Sequence, residues 1–64
     1  MTLKQAINVL DKELQDIGIG PSKRNKAIIE FVDQYQNQDV RFNKVWVIWK
    51  AKTLRALYAK PNLN

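Results

Sequence analysis

Apolar residues recur along the first seventeen positions with helical spacing. Leu3, Ile7, Leu10, Leu14 and Ile17 follow one another at intervals of 4, 3, 4 and 3 residues, which places them on one stripe of an α-helix. Thr2 precedes this stripe and Gln5 follows three residues later, the arrangement of a capping box with Thr2 as the N-cap. Gly18 stands where a helix needs a left-handed residue to end. Ile19 then takes the next position and folds back on Leu14, as a Schellman motif favours. The pattern predicts a helix over about 3–17. The spacing is also that of a heptad repeat, but two heptads are too few for a coiled coil, so the stripe reads as core.

Gly20-Pro21 interrupts the chain, and Pro21 is suited to the first position of a second helix. Ile28, Phe31, Val32 and Tyr35 form an i, i+3, i+4, i+7 stripe, predicting a helix over about 21–36. The run Gln34 to Asp39 is polar and reads as the end of that helix with a short turn. Asp39 is the expected N-cap of a third helix.

The last segment carries conflicting signals. Val45-Trp46-Val47-Ile48-Trp49 is rich in strand-forming residues, and a hairpin turning at Asn43-Lys44 is conceivable. That turn lacks the usual glycine, and no third strand is available to support an isolated hairpin. Ala51 to Ala59 contains good helix formers and Pro61 stops them. One helix over about 40–59 is therefore preferred, with a frayed tail at 61–64. The expected fold class is all-α: a single small three-helix bundle, for which excess apolar surface on the third helix is compatible with a homodimer.

On a helix over 40–59, Val40, Val47, Ala51, Leu54 and Tyr58 share a narrow stripe. Phe42, Val45, Trp46, Trp49, Ala56 and Leu57 fall on a broad arc nearly opposite. A helix apolar on two sides calls for two neighbours; a central third helix between the other two would supply them. Small domains need their large side chains in the core. Core packing is thus preferred for Trp46, while core and surface are evenly balanced for Trp49. Where the aromatic arc is left uncovered, Phe42, Trp46 and Trp49 become candidate partner-binding residues.

Charge adds a direction to this picture. The chain of 64 residues has 11 Lys and Arg against 6 Asp and Glu, a formal net charge of +5. Residues 1–19 carry a net −1, residues 20–38 a net +1 and residues 39–64 a net +5. The excess therefore lies in the last segment. Arg41, Lys44, Lys52 and Arg55 fall between the two apolar arcs as a one-sided stripe about 21 Å long. Lys23, Arg24 and Lys26 crowd the first turns of the second helix, where the helix dipole disfavours cations. Chance on a basic protein explains that cluster most simply, and a nearby phosphate is the functional alternative.

Candidate catalytic chemistry is sparse. The chain has no Cys and no His, which removes thiolate chemistry, disulfides, the commonest general base and the commonest transition-metal ligand. Ser22 is the only serine and has no imidazole to activate it. Two glycines, Gly18 and Gly20, do not make a phosphate-binding loop. The carboxylates Asp11, Glu13 and Asp16, and Glu30 with Asp33, read as solvated helix faces. No enzyme activity, cofactor, metal or small-molecule substrate is expected. No apolar run approaches the roughly 20 residues that span a bilayer, and the start of the chain lacks a signal-peptide core, so the expected location is the cytoplasm.

Uneven basic charge along one flank is the electrostatic footprint of a polyanion binder. The expected function is a small regulatory or accessory protein that binds RNA or DNA through phosphate contacts. Its candidate residues are Arg41, Lys44, Lys52 and Arg55, with Lys23, Arg24 and Lys26 as a second patch. The alternative is an antitoxin-like inhibitor or adaptor that docks on an acidic protein through Phe42, Trp46 and Trp49, with the cations as a steering rim. A helix lying on a membrane surface ranks last, because the basic side chains are flanked by apolar arcs rather than facing one.

Overall fold

The structure is a computed structural model and describes residues 1–58. Three helices pack on one another: α1 (Leu3–Asp16), α2 (Pro21–Tyr35) and α3 (Lys44–Tyr58). No strand occurs among the described residues, so the Val45–Trp49 run is helical despite its strand-forming residues. Burial of Val47 within this run and of Ala51 one turn on outweighs a weak local preference there, while Val45 and Trp49 stay exposed. The expected continuation to residue 59, the stop at Pro61 and the frayed tail at 61–64 lie outside the described residues.

α1 opens with the expected capping box. The Gln5 amide donates to Thr2 Oγ1 at 3.2 Å, and the Thr2 amide donates to Gln5 Oε1 at 3.0 Å. The helix closes in a Schellman motif: the Ile19 amide donates to the Leu14 carbonyl at 2.9 Å and the Gly18 amide to the Gln15 carbonyl at 3.1 Å. Gly18 has φ of 90°, a backbone region that glycine enters without a Cβ clash. Ile19 and Leu14 are both buried, which ties the turn to the core. α1 buries Ala6, Leu10 and Leu14, while Leu3, Ile7, Val9 and Ile17 pack partly buried around them. Its buried width is larger than one narrow stripe because α1 is the central helix, lying along both α2 and α3. The third helix does not take that central place.

α2 begins at Pro21 behind Gly20 as N-cap. It buries Ala27 and Phe31, with Ile28 and Tyr35 packed beside them. A connection over 36–43 then leads to α3.

α3 begins four residues later than the sequence pattern suggests, and Asp39 is not its cap. Asn43 caps it instead: its Oδ1 accepts from the Val45 amide at 2.8 Å and from the Trp46 amide at 3.4 Å. The physical reason lies in Phe42. On a helix running from residue 40, Phe42 would share the outward side with Trp49, since seven residues make about two turns. Leaving the helix lets its ring turn inward, where it is buried. The backbone of Phe42 is engaged as well. Its amide donates to the Met1 carbonyl at 3.0 Å, and its carbonyl accepts from the Met1 amino group at 2.7 Å.

The ring of Phe42 completes an aromatic cluster with Phe31, Tyr35 and Trp46. Every pair of centroids lies between 4.9 Å (Phe31–Tyr35) and 6.2 Å (Phe31–Trp46). These are favourable aromatic spacings. α2 and α3 approach each other little along their backbones, and the cluster joins them. Val47 and Ala51 bury α3 against the rest of the core, with Leu54 beside them. Among the described residues, no buried side-chain polar atom lacks a hydrogen-bond partner.

Candidate nucleic-acid interface

The face of α3 turned away from the core combines cations with apolar side chains. Lys44, Lys52 and Arg55 are exposed. At the helical period they fall within about 80° of arc, so they share one flank. Val45 and Trp49, 74% and 58% exposed, stand about 20° and 60° beyond the Lys52 edge of that flank, and Leu57, 66% exposed, lies farther round the helix. Trp49 is thus a surface residue. Its carbonyl accepts from Thr53 Oγ1 at 3.0 Å, a bond within the helix that engages only the backbone of Trp49. Lys52 and Arg55 also border a shallow cavity of about 560 Å³ with Asp16, Ile17 and Gly18, where α3 passes the end of α1.

Arg41 is not on this helix. It is exposed in the 36–43 connection, so the four-residue stripe reduces to three on α3 with Arg41 ahead of the helix. The late start of α3 is the cause. The α2 cluster divides too. Lys23 and Lys26 are exposed, whereas Arg24 donates from Nε to Asp11 Oδ1 at 3.0 Å and from a terminal nitrogen to the Ile19 carbonyl at 3.0 Å. Arg24 therefore fastens the start of α2 to α1 and to the interhelix turn. This is the one ion pair among the described residues. Its acidic partner also offsets the unfavourable dipole at that helix end.

No family model, curated protein or solved structure matches the chain. The chemistry of its own side chains is therefore what marks a site.

Of the three aromatic candidates for partner binding, only Trp49 is exposed. Phe42 is buried and Trp46 half-buried within the four-ring cluster. Sequence reasoning did not single out Tyr35 or Lys50 as site residues. Tyr35 borders two cavities beside the 36–43 connection. Lys50 is half-buried and borders a small one with Glu30, Phe31, Gln34 and Leu54. A legible signal for the first was Asn43 itself, a strong N-cap residue directly ahead of an apolar run. Starting the helix there frees residues 36–42 to fold against Tyr35. Among the described residues, no group of three or more His, Cys, Asp or Glu side chains is arranged to hold a metal. None of the described helices is long and apolar enough to cross a membrane.

Proposed function

We propose that the protein binds RNA or DNA through the outward face of α3, with Lys44, Lys52 and Arg55 on phosphates and Trp49 available to stack on a base. The observation that carries this reading is the exposed indole of Trp49 standing beside an exposed cationic flank. Phosphate neutralisation supplies affinity without sequence information, and aromatic stacking tolerates every base because each has a π face. Lys23 and Lys26 extend the positive surface on α2. Arg24 contributes less, since Asp11 already holds it.

The test is fluorescence anisotropy of labelled RNA and DNA oligonucleotides across a salt series. The expected result is binding that weakens steeply as salt rises. Replacing Lys44, Lys52 and Arg55 together by Gln should lower the slope of log affinity against log salt by about 2–3. Helicity should be unchanged, because exposed charges add little stability. Wild-type binding by the triple variant would overturn the reading.

One observation favours a second reading. Val45 and Leu57 extend the exposed apolar surface well beyond a single ring, as a protein-docking face with a basic rim would. In that case the partner is an acidic protein and the chain acts as an inhibitor or adaptor. Failure of every oligonucleotide to bind at low salt, with capture of a defined protein from lysate, supports this alternative.

A further inference from the structure

One cavity lies at the start of α3, where the 36–43 connection meets α2. Tyr35, Val40, Arg41, Phe42, Asn43 and Trp46 enclose a volume of about 310 Å³. Three of these six residues are aromatic. Tyr35 stands nearly perpendicular to both of its aromatic partners there, at 87° to Phe42 and 89° to Trp46. Val40 and Arg41 are exposed, so the cavity opens to solvent between an apolar side chain and a guanidinium. The volume is at the low end of the roughly 300–1,000 Å³ of ligand sites. It suits one flat ring system and not an extended ligand.

Resting on the reading of α3 as a nucleic-acid face, we propose that this aromatic cavity receives one unstacked base of a single-stranded nucleic acid, with Arg41 at its rim on the adjoining phosphate. Trp46 and Trp49 are three residues apart on α3. They are therefore about 60° apart around the helix axis and about 4.5 Å apart along it. A strand whose base enters beside Trp46 can then lay a neighbouring base on the exposed ring of Trp49. The cations follow in the same direction, with Lys52 three residues beyond Trp49 and Arg55 three residues further. Arg41, Lys52 and Arg55 are the cations offered to its phosphates. No carboxylate lines this cavity; Asp39, with Gln36 and Gln38, lines an adjoining one that shares Tyr35, Val40 and Arg41 with it. A duplex keeps its bases paired and stacked and offers none to such a cavity. The device therefore selects single strands over duplexes.

The experiment uses Trp46 as reporter. The chain has two tryptophans, so Trp49→Phe leaves Trp46 as the sole indole; it serves for the emission signal only, and affinities are read by anisotropy on the chain that keeps Trp49. This variant is titrated at low salt with a short oligothymidylate and with a DNA hairpin duplex of equal charge, and its occupancy is checked in parallel by anisotropy. The oligothymidylate should quench Trp46 emission and the duplex should not. Val40→Trp fills the cavity at an exposed position without changing charge; it is read by anisotropy. It should weaken single-strand binding about tenfold, to the level of the duplex, at the lower end of what one stacked base contributes. Arg41→Gln should weaken the single strand more than the duplex.

Single strands that bind but leave Trp46 unquenched would overturn the proposal, while the polyanion reading stands. Unchanged single-strand affinity in a folded Val40→Trp would do the same. If the unsubstituted chain binds neither strand nor duplex, the nucleic-acid reading itself fails and this inference goes with it. The quenching measurement decides the matter even if Val40→Trp does not fold.

Discussion

Gly18 shows how one residue sets the path of the chain. At φ of 90° it lets Ile19 turn back onto Leu14, and a Cβ built there meets no atom within 4 Å. The cost of a side chain at this position is then backbone strain alone. Gly18→Ala should lower the free energy of unfolding by about 1–2 kcal/mol, measured as a shift in urea midpoint at unchanged slope. Arg24 makes a complementary point. Its type and position suggest a phosphate contact, yet its guanidinium is held by Asp11, thirteen residues away, and by the Ile19 carbonyl. Local sequence marks Gly18, because a helix end states its requirement in neighbouring residues. Nothing local marks the Arg24 pair, because its partner comes from another helix.

At the scale of elements, the first two helices were legible in their apolar spacing, caps and the Gly20-Pro21 break. α3 was legible as a helix but not at its start. Both Asp39 and Asn43 are acceptable N-cap residues, so local preference left the choice open. Burial of Phe42 against Phe31, Tyr35 and Trp46 decided it, since only the later start turns that ring inward. Asn43→Ala should therefore cost about 1 kcal/mol, while Asp39→Ala should leave the thermal midpoint where it was. Equal effects of the two substitutions would contradict the assigned start. The same shift explains why Arg41 stands apart from Lys44, Lys52 and Arg55, and why the connection over 36–43 encloses a cavity.

For the molecule as a whole, α1 is central and holds α2 and α3 on either side. Leu10, in the middle of α1, is fully buried, whereas Val32 on α2 is only half-buried. A chain of 64 residues holds about 3–10 kcal/mol at roughly 0.05–0.15 kcal/mol per residue. Leu10→Ala removes about 2–5 kcal/mol, a large share of that margin. Circular dichroism should show Leu10→Ala much closer to unfolding at 25 °C than Val32→Ala. A wild-type urea midpoint for Leu10→Ala would show that the core is misplaced. Surface character is also a property at this scale. The surplus of positive charge toward the end of the chain was plain from residue order. Which cations meet solvent, and which aromatic ring stands among them, depended on how three helices share one core.

The order of residues alone determined three helices, their breaks, a basic carboxy-terminal segment and the shortage of catalytic groups, because caps, periodicity and charge are written in near neighbours. Tertiary packing decided the rest. It made α1 the central helix, put Phe42 and Trp46 in an aromatic cluster and left Trp49 outside. It also bound Arg24 to Asp11 and separated Arg41 from the α3 flank. Each of these outcomes depends on residues distant in the chain competing for the same buried space, and a competition of that kind is resolved only in three dimensions.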